Sequence, residues 1–255
     1  MSRLVTAGRS VTERTKNTSR GRRYELDEWR KEFDLVAGIT SADEDLALVS
    51  DQPSEVVLER WERFRYSERH RFHSFVVARQ VHSAVVRTHR EAHQGLLVVD
   101  GVDGHVTDMA GVLLTVTVAD CIPIYIASPE TGVIGLFHAG WRGVAAGILE
   151  AGVAHLCETA EASVENLVIH CGVGICGECY EVGSEVLSVV SGRRCSDAGS
   201  LDLRDELVRR AASLGVERVS ISSWCSFHDD QLFHSHRRSH GSNSRMVAYL
   251  GRPAG

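Results

Sequence analysis

Five apolar runs follow one another between Phe75 and Phe137, each built almost wholly of aliphatic and aromatic residues. They are Phe75-Val-Val-Ala-Arg-Gln-Val81, Gly95-Leu-Leu-Val-Val99, Val112-Leu-Leu-Thr-Val-Thr-Val118, Ile122-Pro-Ile-Tyr-Ile126 and Gly132-Val-Ile-Gly-Leu-Phe137. A strand with one wet face alternates apolar and polar residues, whereas a near-continuous run belongs to a strand covered on both faces. The chain must therefore supply covering layers as well as a sheet. The flanks provide them. Ser54-Glu-Val-Val-Leu-Glu-Arg-Trp-Glu-Arg-Phe64 spaces its apolar residues along one helix face, with Ser54 as its cap, inside a charged, helical stretch from 24 to 70. Val144 to Ala160 and Tyr180 to Ser191 predict helices. So does the segment that Asp202 caps and Gly215 stops. Leu167–His170, Val219–Trp224 and Met246–Leu250 predict further strands. No repeat, linker or low-complexity tract divides the chain. With 255 residues and 43% hydrophobic content it is large enough for one sizeable core. The expectation is one α+β domain, strands in the middle and helices outside.

Charge and composition narrow the function. A net charge of -6 argues against nucleic acid as the main partner. No apolar run approaches the roughly 18 residues of a membrane span. Seven cysteines, odd in number and scattered, favour a reducing compartment, so a cytoplasmic location is expected. The first 23 residues are basic: Arg3, Arg9, Arg14, Lys16, Arg20, Arg22 and Arg23 face only Glu13. That composition is shared with transit peptides, but it reads here as a poorly ordered arm or an edge strand.

Chemistry gathers where the apolar runs end. Ala119-Asp120-Cys121-x-Pro123 and His138-Ala-Gly-Trp-Arg-Gly143 put a thiol and an imidazole at neighbouring strand ends, and Gln80-Val-His82-Ser83 adds a second imidazole. His82, Cys121 and His138 suit a borderline-soft metal, zinc first and copper as the alternative. Three protein ligands leave a coordination position open, as catalytic sites do. The residues alone leave other readings open. Cys121 and His138 could be a nucleophile and its base, or all three could be ordinary core residues. Asp120 suits a general base, a partner of the ligands, or a side chain that hydrogen-bonds a neighbouring turn. Arg142, Arg237 and Arg238 suit phosphate or structural carboxylates.

Three further patterns were weighed. Gly172-x-Gly174-x-x-Gly177 fits a dinucleotide fingerprint, but no apolar strand leads into Asp197 twenty residues on. Cys171-x4-Cys176-x2-Cys179 has part of an iron–sulfur spacing; Cys195 is too near and Cys225 too far to complete it, so these read as ordinary thiols. His234-x-His236-x3-His240 reads as a polar strand end near a site mouth, since the multicopper pattern needs a second His-x-His pair.

Gln-Val-His82, Ala-Asp-Cys121-x-Pro, His138-Ala-Gly-Trp-Arg-Gly, Cys179-Tyr-Glu-Val182 and Phe233-His-Ser-His-Arg-Arg238, in this order, resemble the YfiH-like or laccase-domain family, also called polyphenol-oxidase-like. The resemblance covers roughly residues 70 to 250. It implies an α-β-β-α layered fold shared with the catalytic domain of cytotoxic necrotizing factor, and a metal site at His82, Cys121 and His138. It also implies a small-molecule substrate. Members are described as zinc enzymes that phosphorolyse purine nucleosides or deaminate adenosine, as copper polyphenol oxidases, and as cell-wall precursor editing hydrolases. A non-enzymatic, zinc-stabilised protein is the remaining alternative. The chain departs from the family pattern in three places. The N-terminal Gly-Gly-Val-Ser turn is reduced at most to Ser19-Arg-Gly21, the Gly-Pro-x-Ile-Gly loop reads Cys171-Gly-Val-Gly-Ile175, and the terminal Thr-Gly-Arg reads Asn243-Ser-Arg245.

Overall fold

The computed structural model describes residues 9–49, 52–91 and 93–255. Three short strands (β1, Arg9–Val11; β2, Arg14–Thr18; β3, Gly21–Glu25) lead through α1 (Asp27–Phe33) to β4 (Val36–Thr40) and the long helix α2 (Ser54–Glu68). Seven strands follow with no helix between them: β5 (Ser74–Arg79), β6 (Val86–His89), β7 (Gly95–Asp100), β8 (Gly104–Thr107), β9 (Val112–Val118), β10 (Ile122–Ala127) and β11 (Ile134–Ala139). The remainder alternates: α3 (Trp141–Ala146), α4 (Ile148–Ala160), β12 (Val168–Cys171), β13 (Glu181–Val182), α5 (Ser184–Ser191), β14 (Gly199–Ser200), α6 (Leu203–Leu214), β15 (Arg218–Ser222) and β16 (Met246–Gly251).

Two mixed seven-stranded sheets result. One runs β1-β15-β12-β10-β11-β8-β6, the other β2-β3-β4-β16-β9-β5-β7. The period-2 alternation of strands divides their side chains among three cores. Tyr125, Ile134 and Leu136 of the first sheet meet Leu114, Val116 and Ala248 of the second in the middle layer. Ile124, Phe137 and Ile169 face outward onto α4 and α6 through Ile148, Leu156 and Leu207. Phe75, Leu113 and Val247 face the other way onto Trp61 and Phe64 of α2. The layers are thus α-β-β-α, and the continuous apolar runs are covered on both faces as their composition requires. No helix is long and apolar enough to cross a membrane among the described residues.

Several boundaries differ from the sequence reading for local reasons. Pro53 takes the N-cap position of α2, and no side chain caps it; Ser54 is already helical. The helix expected over 144–160 is two helices, because Gly147 sits at φ 87 between α3 and α4. The charged stretch 24–70 contains β4, Val-Ala-Gly-Ile-Thr, every residue of which is buried. Residues 231–240 form turns where a strand end was expected, so His234 and His236 share no strand face. Of the basic N-terminal segment, residues 1–8 lie outside the described residues. From residue 9 it contributes edge strands to both sheets. Its one acidic residue, Glu13, is buried and meets His170 at 3.1 Å and the Ser222 hydroxyl at 2.8 Å.

Candidate active site

Strand pairing brings the thiol and one imidazole together. β10 and β11 are antiparallel, with Ile122 opposite Ala139 and Pro123 opposite His138. Cys121, just before β10, therefore lies beside the Gly140 turn that ends β11. His138 shares a strand face with Leu136, which points between the sheets. Phe137 points to the helix layer, where its ring fills space left by Gly104, Gly135 and Gly152; a Cβ at any of them would lie within 2.8 Å of the ring. Gly140 leaves room for the site in the same way, since a Cβ there would be 2.8 Å from Cys121 Sγ and 3.1 Å from His82 Cδ2.

His82 arrives on the turn after β5, with φ at +60, in the left-handed region that a side chain disfavours. What holds it there is Asp103, a residue the sequence reading missed. One Asp103 oxygen accepts from the His82 N–H (3.0 Å), and the other from the N–H of Val81 (3.2 Å) and of Ser83 (2.7 Å) and from the Ser83 hydroxyl (2.8 Å). His138 Nδ1 donates to the same carboxylate at 2.9 Å, and the His138 N–H donates to the Asp103 carbonyl at 2.7 Å. Asp103 is fully buried. Burial works against its charge, but the bonds from His138 and Ser83 outweigh that and hold the carboxyl down to about 2. One carboxylate thus fixes both imidazoles. With Nδ1 occupied, His138 presents Nε2 to the site, the arrangement in which a carboxylate orients a ligating histidine.

The donor atoms of His82, Cys121 and His138 lie within 4.8 Å of one another. The two rings are 4.8 Å apart at 77°. Burial alone would raise the Cys121 thiol, but the charge of His138 and hydrogen bonds from His138 and His82 bring it down to about 6. His138 is lowered by burial, but Cys121 and Asp103 raise it to about 9. A thiolate and two imidazoles converging on one point fit a borderline-soft metal. No further His, Cys, Asp or Glu joins the cluster among the described residues.

The site opens on a cavity of about 680 Å³ walled by His82, Asp120, Cys121, Trp141, Arg142, Tyr180, Arg237 and Arg245, with His236 and His240 at its side. A smaller recess of about 230 Å³ touches all three donors as well as Gln80, Thr117 and Arg245. The other expected site residues sort as follows. Asp120 accepts the Ser226 hydroxyl at 2.6 Å and the Arg237 N–H at 2.8 Å, so it ties two turns to the cysteine segment. Arg142 is exposed on the cavity and stacks over Trp141 at 4.3 Å. Arg237 lies over Tyr180 at 5.2 Å and donates to the Glu181 carbonyl. Arg238 does not belong to the cavity wall. Its guanidinium donates to the carbonyls of Ser226, Phe227 and Phe233, three turn oxygens that leave it no role at a phosphate. Arg245, which the sequence reading met only as a departure from a family pattern, stands in the wall instead.

Two of the weighed patterns resolve here. Gly174 packs against the site segment: a Cβ would lie 2.7 Å from the Asp120 carbonyl. The glycine run therefore serves close approach, and a 3-10 turn at Gly177–Cys179 stands where a nucleotide-binding helix would start. The cysteines, read as ordinary thiols, are not scattered. Cys176, Cys179, Cys225 and His228 form a second cluster with donors within 4.8 Å of one another.

Comparison with known proteins agrees with this geometry. The family model described as multi-copper polyphenol oxidoreductase laccase matches residues 40–253. "Purine nucleoside phosphorylase YlmD" of Geobacillus stearothermophilus is 36% identical over 199 residues, covering 70% of this chain and 72% of that protein. A "Purine nucleoside phosphorylase" of Deinococcus radiodurans is 37% identical over 161 residues, 59% of this chain and 61% of that protein. "Adenosine deaminase RL5" from an unknown prokaryotic organism is 31% identical over 182 residues, 64% of this chain and 69% of that protein. The crystal structure of YlmD from Geobacillus stearothermophilus superposes with a TM-score of 0.84 at 28% identity, covering 95% of this chain and all of that one. The Bacillus licheniformis hypothetical protein YfiH gives 0.83 at 21% identity, covering 93% and 98%, a likeness of fold.

Proposed function

The chain belongs to the laccase-like, YfiH-type family described as multi-copper polyphenol oxidoreductases, and from that premise we propose that it is a zinc-dependent purine nucleoside enzyme, acting by adenosine deamination and by phosphorolysis. The observation that carries this reading is the cavity of about 680 Å³. In one wall it exposes a Cys and a His of a three-donor set, and beside them it places two aromatic rings and three guanidinium groups. That volume and mixture suit one small polar aromatic ligand. The names of relatives such as purine nucleoside phosphorylase and adenosine deaminase support the substrate class.

His82, Cys121 and His138 would hold the zinc. When bound, it supplies Lewis acidity and lowers the pKa of water at the open position, the chemistry of zinc deaminases. Trp141 and Tyr180 offer faces to a purine. Arg142, Arg237 and Arg245 offer charge to phosphate, which phosphorolysis requires. Asp103 keeps both imidazoles in place, and Asp120 keeps the Ser226 and Arg237 turns against the cysteine. A multicopper array needs more histidines than this set supplies, and no methionine lines either cavity among the described residues. A protein merely stabilised by zinc would close this site with a fourth side chain, and the cluster has three. Seven free thiols support a reducing, cytoplasmic setting.

Chromatography of the products from zinc-loaded protein given adenosine, with and without phosphate, tests the reading. Inosine without phosphate supports deamination. Ribose 1-phosphate and free base, only when phosphate is present, support phosphorolysis. Absence of both products under all conditions would overturn it. One observation favours a second reading: Cys121, His138 and Asp103 stand in the order nucleophile, base, orienting carboxylate, which suits a cysteine hydrolase acting on an amide. Amide hydrolysis that survives metal removal and stops on alkylation of Cys121 would select it.

A further inference from the structure

We propose that Cys176, Cys179, Cys225 and His228 bind a second metal ion, a structural zinc, in a closed tetrahedral site separate from the cavity. In sequence they form two half-sites of like spacing, Cys-x2-Cys and Cys-x2-His. Such pairs are what structural zinc sites are built from. The fold joins them because β12 and β15 are parallel neighbours, with Val168 opposite Arg218 and Cys171 opposite Ile221. Both half-sites therefore leave the same end of the sheet. A bridge between Gly174 and Cys225, and a bond from the Ser226 N–H to the Gly174 carbonyl at 3.0 Å, continue that pairing to the cluster.

The donor geometry fits. Zinc bonds of about 2.3 Å to sulfur and 2.0 Å to nitrogen set ligand atoms in a tetrahedron roughly 3.5–3.8 Å apart. Here all four donors fall within 4.8 Å of one another, with Cys179 Sγ 3.2 Å and Cys176 Sγ 3.7 Å from ring nitrogens of His228. Backbone donors supply the second observation. The N–H groups of Cys176 (3.4 Å) and His228 (3.5 Å) point at Cys225 Sγ, and the Cys179 N–H points at the Cys176 thiol. Each half-site thus turns the N–H of its second ligand back onto the sulfur of its first. N–H groups aimed at sulfur stabilise it as thiolate, the form a metal binds. All three cysteines are free.

Four protein donors complete the tetrahedron, so this ion has no open position and no catalytic part. Its place defines its work. It fastens the turn after β12 to the turn after β15, and both support the cavity: the Ile175 N–H donates to the Asp120 carbonyl at 3.0 Å, the Ser226 hydroxyl to the Asp120 carboxylate at 2.6 Å, and Tyr180 stands in the wall. The zinc is a clip behind the Asp120–Cys121 segment.

Metal content of the full chain, purified with zinc and reductant, tests this in a crossed design. Wild type, Cys121→Ala and Cys225→Ser are compared by elemental analysis. Cys225→Ser should hold one equivalent less zinc than wild type, and Cys121→Ala should retain an equivalent. X-ray absorption on Cys121→Ala should show a shell of three sulfurs and one nitrogen near 2.3 Å. The absorption measurement stands even where Cys225→Ser fails to fold. Zinc content unchanged in Cys225→Ser but lost in Cys121→Ala would overturn the second site while upholding the first. A shell dominated by nitrogen and oxygen, or a disulfide among these cysteines in reduced preparations, would also overturn it.

Discussion

The two Cys/His clusters of this protein are built in opposite ways. His82, Cys121 and His138 converge from the ends of three strand segments and are oriented by one buried side chain, Asp103, on the edge of a large cavity. Cys176, Cys179, Cys225 and His228 come in pairs from two turns and receive backbone N–H groups on sulfur. The first has three donors and a space; the second has four donors and none. The difference teaches that donor count and the source of outer support separate a working site from a fastening one. An orienting carboxylate sets a tautomer and leaves a position free. Backbone donors stabilise thiolate and hold a loop.

The largest effect should come from removing the support unique to the first cluster. Asp103→Ala strands three backbone N–H groups and the His138 ring in a buried pocket. It should cost about 3–5 kcal/mol in urea unfolding, the range for breaking a buried paired charge, and abolish turnover. A loss under 1 kcal/mol would show that Asp103 does not hold the two imidazoles.

Next, Cys121→Ala and Cys225→Ser should part company. Cys121→Ala should lose turnover with stability changed by no more than about 1–2 kcal/mol, while Cys225→Ser should lose several kcal/mol with the metal. Matching stability losses would erase the distinction.

Acid should weaken the first cluster's side of the molecule before the metal ligands are considered at all. His89 and His105 are buried, 3.0 Å apart, on β6 and β8 next to Asp103. Burial, with charge from Arg87, lowers His89 to about 4, and burial with charge from His89 lowers His105 to about 3. Both values lie below the unfolded value of about 6.5. Their contribution is therefore complete above that pH and is lost as pH falls through it toward 4 and 3, because the unfolded chain binds protons first. Asp103, held at about 2, adds a further loss below about 4. Denaturant titration should show stability dropping by a few kcal/mol between pH 6.5 and 4, and His89→Phe should flatten that slope. An unchanged slope would remove the pair from the account.

The smallest contrast is between arginines. Arg142→Ala should raise the KM for phosphate with stability within about 0.5 kcal/mol of wild type. Arg238→Ala, which frees three turn carbonyls, should cost about 1–3 kcal/mol and leave that KM alone. Reversal of the two would return Arg238 to the binding site.

Much of the layering was legible, because strands covered on both faces announce themselves as unbroken apolar runs; β9, β10 and β16 lie almost where Val112–Val118, Ile122–Ile126 and Met246–Leu250 predicted. β4 was hidden because five buried residues sit between charged flanks and carry no long pattern. The Gly147 break was hidden because the apolar periodicity runs through it. The first cluster became readable as a set only through its resemblance to a family, since ligands spread from 82 to 138 leave no local spacing. Asp103 left no signal: an aspartate before a glycine reads as any turn, and its value lies in where β8 carries it. The second cluster was half visible. Cys176-x2-Cys179 was seen, but Cys225 was set aside for its distance, which the parallel pairing of β12 with β15 removes.

The most direct test is adenosine turnover by Cys121→Ala beside Cys225→Ser, each measured on its folded fraction with zinc and phosphate present. The account predicts no product from Cys121→Ala and measurable product from Cys225→Ser. Wild-type turnover from Cys121→Ala would contradict it.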